Sequence, residues 1–505
     1  MKIMISVKNK SWLIKGLLLL LAISLSLSEV SAKTRIMLIS DPHVMDPGLL
    51  ISEGEAWNEA VYYDRKLNDY SSAIFDEVIA IALREKPDLF LISGDLTKDG
   101  EWLSHQYVVR KLYELKAAGI RPFVVPGNHD MGTPNALYFD GETIYEADTI
   151  NTSQFAELYR DFGYGEDVER EPTTLTWCCE PVDGLMLIGI DTGHDDDPLN
   201  GVISHTTYEW VRERAEAASK AGKKVFIMMH HALFPHVANA DKFSSTYAVK
   251  LGLADGEGGY GYFPYATLRN HLADAGVSVV FSGHVHASDI AKDANKDLTR
   301  TVFDISTSSC AAYPNPYRLL TLNDDDATMR IETRYVSELP DVEDFDDMAE
   351  KRMRQGLVNL VKNITYDEDI SNLFAEIFKI HVVGNEPEHP RQKEFLAMYE
   401  ENIPRMKADR QLKDYLDAYD ATFDDLSAMV YSMLEDRSNY GDPDRESLVD
   451  DLNTTIPVRG DGWTAIRPIV RETVGKDWYT LQGQRIARPS RKGIYIHDGK
   501  LSVVK

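Results

Sequence analysis

Cysteine is nearly absent from this chain. Cys178, Cys179 and Cys310 are its three cysteines in 505 residues, too few for a disulfide scaffold and without the closely spaced pairs of a thiolate zinc site. Cys178 and Cys179 are neighbours in a strand-like run, so their side chains point to opposite faces and are poorly placed to bond each other. One of them could reach Cys310, but buried, unpaired thiols are the simpler expectation. Basic charge is also scarce. Lys and Arg number 54 against 81 Asp and Glu, a net charge of -27, so there is no basic field to draw in a nucleic-acid polymer. A small phosphate ester is not excluded, because bound metal neutralises its charge locally. The apolar run at 16–27 is too short to span a bilayer comfortably. It follows Lys2, Lys8, Lys10 and Lys15 and precedes Val30-Ser31-Ala32, the layout of a signal peptide over 1–32. The expectation is an exported chain, periplasmic or extracellular, with no membrane span once that segment is removed.

What the chain does have is five short blocks of metal-ligand residues in a fixed order: Asp41-Pro42-His43, Gly94-Asp95, Gly127-Asn128-His129-Asp130, His230-His231 and Gly283-His284-Val285-His286. Almost every block follows an apolar, β-branched run that reads as a buried strand. Together they supply two carboxylates, one amide oxygen and four ligating imidazoles. That donor set suits two adjacent divalent metals of the Mn, Fe or Zn class, and two-metal sites serve mainly to move phosphoryl groups.

The order of elements gives the blocks a common location. Strand candidates at 35–40, 88–93, 121–125, 185–190, 224–229 and 277–282 alternate with amphipathic stretches at 73–84, 103–118, 208–221 and 266–275, which reads as layered α/β. Further strand-like runs fall at 301–306, 318–322 and 329–336. In such a sheet ligands gather beyond the carboxyl ends of the strands, and each block lands there. Two stretches, 46–70 and 253–265, read as surface insertions. From 341 to 455 no strand is evident, and helical patterns at 348–364, 367–378, 393–399, 411–419 and 426–435 suggest an all-helical domain. Short β runs after 478 suggest a small β module. The tail resembles the C-terminal segments of secreted proteins in bacteria with a type IX secretion system.

The ordered blocks resemble those of the calcineurin-like metallophosphoesterase superfamily, over 34–337. The resemblance implies a four-layer α/β/β/α sandwich at 33–340, ahead of the helical domain at 341–460 and the β module at 461–505. It further implies that Asp41, His43 and His286 hold one metal and that Asn128, His230 and His284 hold the other. The resemblance also implies that Asp95 bridges both, that His129 is the catalytic histidine and that Asp130 orients it. A bridging hydroxide would attack phosphorus in line, and the imidazole would assist the leaving oxygen. Gly94-Asp95-Leu96-Thr97-Lys98-Asp99-Gly100-Glu101, Phe162-Gly163-Tyr164 and Met229-His230-His231-Ala232-Leu233-Phe234-Pro235-His236 look like exported bacterial phosphodiesterases active on cyclic nucleotides, which also carry a helical C-terminal domain. Many nucleotide cyclic phosphodiesterases of the superfamily have an Arg soon after the Asn-His-Asp block; here Met131-Gly132-Thr133 follows.

Phosphodiester hydrolysis is therefore the first expectation, with a small phosphate ester as substrate. A phosphomonoesterase or nucleotidase is the second, and a non-catalytic scaffold for a protein partner the third. Among the other candidates, His231 either shapes the substrate pocket or hydrogen-bonds behind the ligands, and His236 is a candidate for substrate contact. His105, His194 and His205 read as surface or capping residues, and His271, His381, His389 and His497 as residues without ligand-like neighbours. Asp195-Asp196-Asp197 reads as a solvated loop, and the tyrosines at 62–63 and 260–265 either stack a base or pack the insertions against the domain, packing being the first expectation.

Overall fold

A computed structural model describes residues 33–193, 201–244, 246–252, 262–323, 327–436 and 450–458, together with the backbone of four short strands between 478 and 504. The expected signal peptide, His194, the run at 195–197 and Tyr260 lie outside the described residues. Residues up to Trp463 form one compact unit and those from Thr464 a second.

Two sheets carry the first unit. One has the order Asn453–Pro457, Thr328–Tyr335, Pro316–Asn323, Lys33–Ile39, Leu89–Ile92, Arg121–Val124; the last three strands run parallel. The other runs Asp289–Ala294, Thr301–Ser306, Val277–Ser282, Lys224–Met229, Leu185–Ile190, Trp177–Val182, Glu169–Arg170, and its middle four strands are parallel. Parallel strands are buried on both faces and so read as continuous apolar runs. All residues of Leu89–Ile92 and of Val277–Ser282 are buried.

Alternation along the strands builds the layers. In Lys224–Met229, Phe226 and Met228 face the core between the sheets, while Val225, Ile227 and Met229 face the helices His205–Lys220 and Tyr265–Asp274. Helices Ser71–Glu85 and Trp102–Ala117 pack on the first sheet. The former buries Ile74, Phe75, Val78, Ile81 and Ala82 at helical spacing. The result is the expected four-layer α/β/β/α sandwich.

Among the described residues five helices follow: Phe345–Val361, Glu368–Val383, Gln392–Ala408, Arg410–Ala418 and Phe423–Glu435. Gln392–Ala408 runs on past the expected end near 399 and through Pro404, because it buries Met406 in the helical core. The chain then returns to the first sheet. Asn453–Pro457 pairs antiparallel with Thr328–Tyr335, in a stretch with no expected strand. This edge strand buries Ile456, a single apolar residue, too few to reveal a period of two. The helical core also takes in Val237, Ala240, Phe243 and Tyr247, which belong to the loop beyond the fourth ligand block. In the second unit, Arg485–Ile486, Trp478–Tyr479, Gly493–His497 and Lys500–Val504 form a four-stranded antiparallel sheet in that order. Among the described residues no helix is long and apolar enough to cross a membrane.

Arg318 ties these parts together. It is wholly buried and donates to the main-chain oxygens of Ser306 (2.8 Å) and Asp451 (2.5 Å) and to the hydroxyls of Thr307 (3.1 Å) and Thr333 (2.9 Å). It thereby links both sheets to the returning chain. Arg318→Met strands buried carbonyls, each costing roughly 1–3 kcal/mol. A loss of about 3 kcal/mol or more in urea unfolding is expected; a change within about 0.5 kcal/mol, as for a surface substitution, would contradict this role.

Candidate metal centre

The five blocks occupy the loops just beyond the carboxyl ends of Lys33–Ile39, Leu89–Ile92, Arg121–Val124, Lys224–Met229 and Val277–Ser282. The main chain stitches the loops to one another. Asp41 N–H donates to Gly94 O (3.1 Å), His43 N–H to Asp95 O (3.0 Å) and Gly283 N–H to His230 O (2.9 Å). Five of the ligand candidates hold a left-handed backbone: Asp41 (φ 49°), His43 (41°), Asp95 (49°), His284 (67°) and His286 (56°). Each such non-glycine residue costs of order 1 kcal/mol and persists only where its surroundings enforce it.

The side chains converge in two groups that share one oxygen. Ligands held 2.0–2.2 Å from one ion stand roughly 3.0–3.5 Å apart. In the first group Asp41 Oδ1 lies 3.1 Å from His286 Nε2, His43 Nε2 3.2 Å from His286 Nε2, and His43 Nε2 3.5 Å from Asp95 Oδ2. In the second, Asp95 Oδ2 lies 3.2 Å from His230 Nε2, His230 Nε2 3.1 Å from Asn128 Oδ1, and His284 Nδ1 3.0 Å from Asn128 Oδ1. Asp41 Oδ1 is buried and accepts no hydrogen bond, as an oxygen directed at a cation would be. These residues therefore fit a pair of divalent ions, and their mixture of N and O donors suits Mn, Fe or Zn.

Protonation favours the same use. Burial, with the Lys66 ammonium behind it, holds His43 well below its ordinary pKa. Burial and then His230 push His284 down to about 3, and burial lowers His286 against the pull of Asp41. These imidazoles are neutral and keep a lone pair. His230 differs: burial opposes its charge, but Asp95 and Asp41 raise it to about 10. Its Nδ1 faces Ser93 O at 2.9 Å, an acceptor, so Nδ1 carries hydrogen and Nε2 is the atom directed at the cluster. The second proton on His230 balances two carboxylates in the place where a cation would displace it.

His129 is half-buried and stands edge-on to His43, ring centroids 4.9 Å apart. Its orienting partner is Asp99, a correction to the expectation for Asp130. His129 Nδ1 lies 2.8 Å from Asp99 Oδ1 and 3.0 Å from Lys98 O. Asp130 does not reach that ring. Its carboxylate accepts from the backbone of Gly127 (2.8 Å), Leu96 (3.1 Å) and Thr97 (2.9 Å), so it clamps two ligand loops together. Its main-chain oxygen is held in turn by His105 Nε2 at 2.8 Å, and His105 Nδ1 lies 2.8 Å from Tyr159 Oη. His105 is thus buried, not at the surface as expected. Burial lowers its pKa to about 4 against the Asp130 carbonyl, so the ring is neutral.

His231 is buried beside this centre, with Nδ1 2.8 Å from Thr192 Oγ1 and its ring 4.2 Å from that of His284, which favours the supporting role. His236 does not join the centre; it is buried between Asp289 and Asp304. His205 starts helix His205–Lys220, and His271 packs against Tyr208 with ring centroids 5.4 Å apart. Tyr62 and Tyr63 are 50% and 63% exposed, so they do not pack the first insertion as expected. Sequence reasoning missed Asp99, which has no ligand-like spacing, Lys66, which lies in an insertion, and Thr246, whose Oγ1 is 3.1 Å from His284 Nε2. The three cysteines are free.

The family model for calcineurin-like phosphoesterases matches residues 34–288. A probable cyclic nucleotide phosphodiesterase of Synechococcus sp. (strain WH7803) is 24% identical over 262 residues, 50% of this chain and 74% of that one. Among solved structures, a dimetal phosphatase from Danio rerio aligns with 60% of this chain and 96% of its own at 13% identity, with a TM-score of 0.40, a likeness too slight to argue from.

A Cβ on Gly283 would overlap the side chains of Ser40 and Asp41. Gly283→Ala should therefore displace Asp41 and lower bound divalent metal, read by mass spectrometry on folded protein; unchanged metal content would show that the close approach is dispensable.

Proposed function

The chain belongs to the calcineurin-like phosphoesterase family, and from that premise we propose that it hydrolyses phosphodiesters, cyclic nucleotides among them, at two divalent ions held on the strand-end rim. The observation that carries this is Asp95 Oδ2, 3.5 Å from His43 Nε2 and 3.2 Å from His230 Nε2, the position of a bridging ligand. In this reading Asp41, His43 and His286 would hold one ion, and Asn128, His230 and His284 the other. When bound, the ions would supply Lewis-acid polarisation of the phosphoryl group and of a water molecule.

The chain's own groups do the rest. His129 donates a proton from Nε2 to the leaving ester oxygen, since Asp99 and Lys98 O engage its Nδ1. Burial disfavours the charged ring, but Asp95 and Asp99 outweigh this and raise the His129 pKa, which keeps a proton available. Lys66 lies close enough to act electrostatically on His43, His129 and Asp99. The name of the Synechococcus relative supports a diester over a monoester.

The test uses the purified chain loaded with Mn, comparing bis(p-nitrophenyl) phosphate with p-nitrophenyl phosphate. A preference for the diester is expected, with activity lost in Asp95→Ala together with both metals. His129→Ala should keep its metals and lose at least about tenfold in rate on an ester with a poor leaving group. A preference for the monoester would make this a phosphatase, and silence on both esters with metals bound would remove the catalytic reading.

A further inference from the structure

A second buried cluster of ligating groups lies at the seam between the sandwich and the helical segment and shares no residue with the rim. Asp289 opens a strand of the second sheet, His381 lies on helix Glu368–Val383, Glu386 follows in the next turn, and Asp451 precedes the returning edge strand. Ligand atoms of Asp289, His381 and Glu386 lie within 4.8 Å of one another, and so do those of Asp289, Asp436 and Asp451. The two sets overlap at Asp289. Asp289, Glu386 and Asp451 are 3%, 1% and 0% exposed, so water does not screen them.

The cluster is incomplete as a hydrogen-bonded network. Asp289 Oδ1, Glu386 Oε2 and Asp436 Oδ1 are buried without a hydrogen-bond partner. A buried carboxylate oxygen left in that state is costly. Some partners exist. Asp451 accepts from Ile290 N (2.8 Å) and Asn385 N (3.2 Å), and Glu386 Oε1 lies 2.6 Å from His381 Nδ1. His236 stands beside the cluster, 3.1 Å from Asp289 Oδ1 and 3.5 Å from Asp304 Oδ2, and neither contact has hydrogen-bond geometry. The His236 ring and the buried Arg318 guanidinium, which lies against Asp451, are too few to neutralise four carboxylates. Burial, followed by the neighbouring carboxylates, drives Glu386 and Asp451 well above the usual range and Asp436 up to about 11. The group is short of positive charge.

We propose that Asp289, His381 and Glu386, flanked by Asp436 and Asp451, bind one divalent transition metal that joins the helical segment to the sandwich. Asp289 belongs to the sandwich and His381 and Glu386 to the helical segment, so the ion would close the seam as a cross-link. An imidazole among carboxylates favours Mn, Fe or Zn over calcium, which takes oxygen ligands.

The site is testable apart from phosphoesterase activity. The full chain is stripped with a chelator, reloaded with Mn or Zn, and its bound metal measured by mass spectrometry. Wild type should hold one equivalent more than Glu386→Gln. Asp95→Ala should retain one equivalent that the double variant Asp95→Ala/Glu386→Gln lacks. Chelation should lower the Tm of Asp95→Ala and leave that of the double variant unmoved. Equal metal content in wild type and Glu386→Gln, or an ion that survives in the double variant, would overturn the proposal. If Glu386→Gln does not fold, Asp289→Asn takes its place, and an Asp95→Ala chain holding no metal overturns the proposal by itself.

Discussion

The rim depends on charge that is removed from water. Asp41, His43, Asp95 and His230 are all buried, and two carboxylates share that volume with several imidazoles. Carboxylates are almost never buried unless paired or coordinated. Asp95 is the pivot, because its Oδ2 faces ligands of both groups and its Oδ1 accepts from His129 N at 2.8 Å. One side chain thus sets the separation of the two groups and anchors the loop that carries the catalytic candidate.

The fold supplies this convergence through strain and close approach. Left-handed backbone at five ligand positions turns each side chain inward immediately after its strand. The inter-loop bonds from Asp41, His43 and Gly283 hold those turns in place, and Asp130 clamps two of the loops from behind. Glycine at 127 serves the same packing, since a Cβ there would overlap the Asp95 carboxylate. The helical segment adds support from the far side. Its core takes in Val237 and Tyr247, Ala238 N donates to Ser432 Oγ at 3.1 Å, and the same loop carries Thr246 to His284.

Much of this was legible in the sequence because strand and ligand signals coincide. An apolar run ending in Asp41 or His284 states both a buried parallel strand and its use. The helices after 341 were legible from their periodicity. What escaped notice has physical reasons. Asp99 orients His129 across a loop, and no spacing encodes that contact. His105 reads as polar surface, yet a neutral imidazole with two partners is at ease in a core. Asp289, the neighbouring pair His381 and Glu386, and Asp451 come from distant parts of the chain and meet where it returns to the first sheet through Asn453–Pro457.

The arrangement of the rim makes one geometric demand. Asp95 would have to lie within reach of both ions. Crystals of the Mn-loaded chain, with diffraction recorded on both sides of the Mn absorption edge, would locate the ions without reference to turnover. Two anomalous peaks on either side of Asp95 Oδ2, one beside His43 and His286 and the other beside Asn128 and His230, are predicted. A single peak, or none within reach of Asp95, would contradict the assignment of that carboxylate as the bridge.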